Sequence, residues 1–118
     1  MDELQGKQMV KEIYKALDEK KAEDITIIDI KAISVIADYF VVASAMNQNQ
    51  LLAMQDAVEE IMAKNNISTR QIEGNKNSTW ILMDYEDVIV HLFTKEDRLF
   101  YNLERIWKDG IVVDASEL

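Results

Sequence analysis

Asp84, Glu86 and Asp87 place three carboxylates within four consecutive positions. Two acids three apart beside a strand are spaced to hold a divalent metal, as in nucleotidyl transfer. The same acids suit the Lys and Arg side chains of a basic partner, or a solvated turn that favours Asp for local reasons. An enzyme that handles a triphosphate also needs a Gly-Ser turn. Ala43-Ser44-Ala45-Met46 has no glycine and no basic loop after it, which argues against catalysis. His91 is the only histidine, set mid-strand between Val90 and Leu92. A general base needs an orienting partner and a nucleophile in reach, and a metal site needs more ligands. His91 therefore reads as a buried, hydrogen-bonded structural histidine, or as one that reaches a docking surface. There is no cysteine, so disulfides and thiolate sites are excluded. No catalytic residue, metal or cofactor is expected.

Trp80, Leu82 and Tyr85 read as one face of a strand whose other face carries Ile81 and Met83. Both faces are apolar. One must meet the core; the other meets the chain's own helices or a partner, and Trp and Tyr are favoured interface anchors. Arg98, Tyr101 and Arg105 fall at spacings of three and four on one helical face. They can pair with Asp84 or Asp87, or with a partner. Asp38 is placed to cap a turn or to bond across the sheet end. Met46, Met54 and Met62 read as core filler.

The charge balance is 22 acids to 13 bases, a net −9 spread along the chain with no basic patch. That disfavours wrapping of nucleic acid, which needs clustered Lys and Arg. It suits a basic protein partner, or serves solubility alone. No apolar run approaches the ~20 residues that span a bilayer, and the acidic Met1-Asp2-Glu3-Leu4 start is no signal peptide. The expected location is the cytoplasm.

These residues must be held by elements the pattern predicts. Helical stripes run through Val10, Ile13, Tyr14 and Leu17, and through Leu51, Met54, Val58, Ile61 and Met62 after an N-cap at Asn47. Strands are expected at Ile25–Ile30, at Tyr39–Ala43 (buried on both faces) and, weakly, at Ile67–Ile72. Thr79–Tyr85 and Val88–Phe93 form a hairpin around Glu86-Asp87. Thr94 and Asp97 resemble a capping box for a last helix with Leu99, Leu103, Ile106 and Trp107, stopped at Gly110. Ile111-Val112-Val113 adds an edge strand or packs on a partner. The order α-β-β-α-β-β-β-α, with a parallel crossover through the Asn47 helix, gives one α/β domain: a mixed sheet of about five strands flanked by helices.

Two long motifs stand out: Ala37-Asp38-Tyr39-Phe40-Val41-Val42-Ala43-Ser44, and the run from Trp80 to Phe93 with Arg98, Phe100-Tyr101 and Leu103-Glu104-Arg105-Ile106-Trp107. Glu73-Gly74 lies between them. On these the chain resembles the ribosome silencing factor (Iojap-like) family, from about residue 5 to residue 109. It departs from the pattern at Ala45, usually Gly, and at Glu86, often Gly.

The resemblance implies a domain over residues 1–109 with a tail over 110–118, and a fold related in shape to nucleotidyltransferases. It implies a non-catalytic protein that binds the large ribosomal subunit through its fourteenth protein. Docked there, it blocks joining of the small subunit and represses translation. Trp80, Leu82, Asp84, Tyr85, Asp87, Arg98, Tyr101 and Arg105 are the expected partner contacts, with a minor contact to ribosomal RNA. The free protein is expected as a homodimer in the bacterial cytosol, without a membrane. Two other classes stay open: a metal-dependent nucleotidyltransferase-like enzyme using Asp84 and Asp87, and an assembly or adaptor module for another complex.

Overall fold

The run Tyr39–Ala45 has no charged residue and buries every side chain, so it can only be a strand at the centre of a sheet covered on both faces. In the computed structural model, which describes residues 3–74, 77–97 and 110–114, it is the second strand in the order α1 (Glu3–Glu19), β1 (Glu23–Asp29), β2 (Tyr39–Ala45), α2 (Gln48–Lys64), β3 (Gln71–Glu73), β4 (Trp80–Asp84), β5 (Val88–Thr94) and β6 (Ile111–Val113). The sheet has six strands in the order β3-β4-β5-β2-β1-β6. It is mixed: β2 runs parallel to β5, and every other pair is antiparallel. The sixth strand joins the expected five or so because Ile111–Val113, open between an edge strand and a partner contact, pairs with β1 at the sheet edge. The crossover through α2 does return parallel to β2, but β5 and β4 come between β2 and β3.

Alternation along β2 sorts the core into two layers. Tyr39, Val41, Ala43 and Ala45 face α1 and α2, whose Met9, Val10, Ile13 and Leu17, and Leu51, Met54, Val58 and Met62, complete that layer. Phe40 and Val42 join Ile28, Ile30, Ala37, Ile89 and Phe93 on the other face, where Trp80 and Leu82 pack at the margin. The expected stripes are the buried ones, with Tyr14 and Ile61 half-buried beside them. Met54 and Met62 fill the core as expected; Met46 is exposed, because it sits in the turn before α2 rather than on its apolar stripe.

The chain makes its turns almost without glycine. Asn47 caps α2, its Oδ1 accepting from the Gln50 amide at 2.9 Å, and Ala45 closes β2 opposite Thr94 without disturbing that cap. Both helices end in the same paired bonds. Ala22 N–H donates to Leu17 O and Lys21 N–H to Asp18 O; Ile67 N–H donates to Met62 O and Asn66 N–H to Ala63 O. This is the Schellman arrangement, with a left-handed residue after the cap and an apolar residue behind it. The left-handed places are taken by Lys21 (φ 60), Asn66 (φ 60), Asp24 (φ 49) at the irregular start of β1 and, in the β4–β5 turn, Glu86 (φ 69).

Two local expectations are corrected. Of the expected Ile67–Ile72 strand only Gln71 and Ile72 lie in β3, which runs on to Glu73, since Ile67 belongs to the helix-ending motif. Thr94 and Asp97 form no capping box. The Thr94 amide is used by Thr79 O at 2.9 Å, and the Asp97 carboxylate accepts from the Thr79 hydroxyl. The chain turns helical at residues 95–97; the expected stripe of Leu99, Leu103, Ile106 and Trp107 lies outside the described residues.

A left-handed non-glycine residue costs about 1–2 kcal/mol, partly offset in glycine by chain entropy. Lys21→Gly and Glu86→Gly are each expected to raise stability by about 0.5–1 kcal/mol, and Asn47→Ala to lower it by about 1 kcal/mol. Urea unfolding midpoints check all three.

Candidate docking face

The β4–β5 hairpin sets the register of the candidate residues. Its turn is closed by Tyr85 N–H to Val88 O at 3.0 Å, with Asp84 Oδ1 accepting from the Glu86 amide at 2.8 Å. Trp80 then lies opposite Phe93 and Leu82 opposite His91. Trp80, Leu82 and Asp84 share one face of β4, each half-buried.

That face is built on a row of rings. Trp80 stacks on Phe93 with centroids 5.1 Å apart. Its Nε1–H donates to His91 Nδ1 at 3.3 Å, and His91 meets the edge of Phe40 at 4.8 Å. Trp80 is thus fixed from behind while part of it stays accessible, which suits an interface anchor. In front, Glu73, Gly74, Ser78, Trp80 and Leu82 line a groove of about 310 Å³. Gly74 sits at its rim at φ 120, where an added Cβ would stand 3.1 Å from Trp80 O.

His91 is the buried, hydrogen-bonded histidine the sequence suggested, and it backs the Trp80 face of β4 from inside. It is 5 % exposed, and burial pulls its pKa down to about 4. With Nδ1 accepting from the indole, the proton sits on Nε2, which has no hydrogen-bond partner among the described residues.

Tyr85 is a correction. It is 2 % exposed and packs with Ile81 and Met83 on the helix side, because five positions along a strand reverse the face. Burial, then the Glu59 carboxylate, push its hydroxyl up to about 12. It lines a separate recess with Glu59, Ala63, Asn66, Ile67, Ser68 and Thr69.

Asp87 also leaves the Trp80 face. Its carbonyl accepts from the Asp38 and Tyr39 amides at 2.8 and 3.1 Å, tying the hairpin to the start of β2. Burial, then the Asp38 carboxylate, raise its carboxyl above the usual range, with Glu86 adding to the shift. Gly6 of α1 stands over this pair of acids, its missing Cβ leaving 4.0 Å to both. Asp38 makes its cross-sheet bonds through the backbone, accepting also from the Ile30 amide at 2.9 Å. Asp84 is thus spent on the turn and Asp87 faces elsewhere. No group of three or more His, Asp or Glu able to hold a metal is present among the described residues.

Arg98, Tyr101 and Arg105 lie outside the described residues. Glu73, Gly74, Ser78, Phe40 and Phe93 were missed as parts of the site. The two-residue reading of the Glu86-Asp87 turn already set Trp80 opposite Phe93 and Leu82 opposite His91. The groove needed the β3–β4 pairing, which no local pattern announces.

The fold defines the class: a one-domain α/β protein with a six-stranded mixed sheet. It is similar to a crystal structure from Bacillus halodurans at a TM-score of 0.82 and 30 % identity, covering 92 % of this chain and 98 % of that one. A Chromobacterium violaceum structure shares the fold at a TM-score of 0.84 and 24 % identity, covering 86 % and 85 %. The family model described as "Ribosomal silencing factor during starvation" matches residues 3–118. The Bacillus subtilis (strain 168) protein named ribosomal silencing factor RsfS is 36 % identical over 113 residues, 96 % of each chain. The chloroplastic protein Iojap of Zea mays is 28 % identical over 102 residues, 86 % of this chain and 44 % of that one. The chain belongs to the ribosomal silencing factor family. No described helix is long and apolar enough to cross a membrane.

The depressed histidine pKa has a testable sign. A base whose folded pKa lies below its unfolded value near 6.5 binds protons more readily when unfolded. Its contribution is complete above about pH 6.5 and is lost as pH falls towards 4. Between pH 6.5 and 5 wild type is expected to lose about 1.5 kcal/mol more than His91→Gln. Urea titrations of both proteins at each pH check it.

Proposed function

We propose that this chain docks on the large ribosomal subunit through the β4 face, by way of its fourteenth protein, and so keeps the small subunit from joining. The observation that carries the reading is Trp80, held by His91 and Phe93 and left partly accessible beside Leu82 and a groove. Family membership supplies the ribosome as the target. Glu73 and Asp84 give the face an acidic rim, and the net −9 of the chain favours approach to a basic protein. The mechanism is exclusion: a body on the joining surface occupies space that the other subunit requires and performs no chemistry. A stable contact needs roughly 800 Å² on each partner, and a domain of 34 × 32 × 26 Å has a face that large. The reading includes a cytoplasmic location, a minor contact with ribosomal RNA and a homodimeric free state.

The test is cosedimentation with separated subunits, alongside a joining assay. Wild type is expected to travel with large subunits only, to reduce joining, and to dissociate as salt rises. Trp80→Ala and Leu82→Glu, confirmed folded by circular dichroism, are expected to bind at least about 30-fold more weakly. Asp87→Asn, on the other side of the sheet, is expected to bind normally. Wild type that stays at the top of the gradient at low salt overturns the reading. Loss on Asp87→Asn with none on Trp80→Ala moves the site to the helix side.

A further inference from the structure

The turn that leaves α2 is pinned at both ends. Ile67 N–H closes the helix on Met62 O at 2.9 Å, and Arg70 N–H reaches Asp84 O, at the end of β4, at 2.8 Å. Asn66, Ser68 and Thr69 of this turn, with Glu59 and Ala63 of α2, wall the recess of about 490 Å³ that has Tyr85 in its lining. It lies on the helix side of the sheet, away from Trp80 and Leu82.

Tyr85 gives the recess its chemistry. A phenylalanine would pack on Ile81 and Met83 as well. The hydroxyl adds a donor and an acceptor, and its buried oxygen has no hydrogen-bond partner among the described residues. The nearby Thr69 side chain eases its ionisation without reaching hydrogen-bond geometry. An unpaired hydroxyl in a protein interior is costly, so a ligand that meets it gains by doing so.

The groups around that hydroxyl select the sign of the ligand. Glu59 brings a carboxylate whose Oε1 accepts from Gln55 Nε2 at 2.8 Å, which orients it. Ser68 and Thr69 add hydroxyl oxygens. The end of α2 brings the negative pole of a helix. Neither Lys nor Arg lines the recess: Lys64 pairs with Glu60 at 3.3 Å, and Arg70 lies past the lining. All of this favours a cation. The acceptors are spread over α2, the turn after it and the end of β4. A guanidinium, a planar fork of N–H donors, reaches such a spread better than a compact ammonium does.

We propose that this recess binds the arginine side chain of a basic protein segment, its guanidinium donating to Glu59, to the Tyr85 hydroxyl and to the hydroxyls of Ser68 and Thr69. Two observations favour a side chain over free arginine. Free arginine would bring a carboxylate to a chain that carries −9. Ile67 also lines a second cavity of about 170 Å³, walled by Met9, Met62 and Glu12 among others, so a segment can seat an apolar neighbour beside its arginine. The site goes beyond the docking reading and does not depend on it, because Trp80 and Leu82 lie on the other side of the sheet.

Amide NMR of the full chain, titrated with the peptide acetyl-Leu-Arg-Leu-amide, tests it. Wild type is expected to show saturable shifts centred on residues 66–69 and on Tyr85. The same peptide with lysine or citrulline for arginine is expected to bind at least about tenfold more weakly, and free L-arginine at least about threefold more weakly. Glu59→Gln is expected to weaken the arginine peptide at least about tenfold, and Tyr85→Phe about threefold. Without peptide, Tyr85→Phe is expected to raise the urea midpoint, since it removes an unpaired buried hydroxyl. Trp80→Ala is expected to bind the peptide as wild type does. Shifts that never saturate, or that centre elsewhere, overturn the site: the recess then holds water only. A lower midpoint for Tyr85→Phe overturns the unpaired hydroxyl on which it stands. Equal binding of the citrulline peptide overturns the cation, equal binding of the lysine peptide the guanidinium, and equal binding of free arginine the segment. Cosedimentation with large subunits is a separate measurement, so either reading fails without the other.

Discussion

The parallel pairing of β2 with β5 is the constraint from which the rest follows. It runs unbroken from Tyr39 opposite Val88 to Ala45 opposite Thr94, and all of these side chains but Thr94 are buried. Two adjacent strands buried on both faces demand two apolar layers. One layer is supplied by α1 and α2. The parallel direction forces the crossover through α2, because parallel neighbours cannot be joined by a tight turn. The chain therefore comes back at the far edge as β3, and the meander β3-β4-β5 returns it to the centre. β4 is hung on β5 by a hairpin whose register leaves no freedom: Trp80 must meet Phe93 and Leu82 must meet His91. The accessible anchor is a consequence of the buried centre.

The same arrangement explains why the only histidine is not a reactive one. A neutral imidazole with Nδ1 turned to an indole gives Trp80 a fixed orientation, and burial holds it neutral by disfavouring the charged form. The acids around the hairpin divide in a similar way. Asp84 closes the turn through its carboxylate, while Asp87 ties the turn to β2 through its backbone. Asp84 and Asp87 thus each have a structural task, and their carboxylates point to different sides of the sheet.

Much of this was legible in the sequence, for reasons that can be named. The apolar run of β2, the helical stripes and the Asn47 cap are local patterns with one physical solution each, and all appear where expected. Tyr85 failed because proximity in sequence was given more weight than strand parity; counting from Trp80 places it on the helix side. The Thr94–Asp97 box failed because β5 extends through Thr94 and takes its amide. The sixth strand was open between an edge strand and a partner contact, since three aliphatic residues suit either, and only the pairing with β1 decides. The groove beside Trp80 was not legible at all: it is made by β3, a strand of three residues whose position is set by the distant crossover.

The central claim is that the β4 face, presented by Trp80, is what meets the ribosome. An electron cryomicroscopy map of this chain bound to the large subunit tests it most directly. The account predicts density for Trp80 and Leu82 packed against a ribosomal protein on the subunit-joining surface, with α1 and α2 turned to solvent. A complex in which the helices make the contact and the Trp80 face looks outward contradicts it.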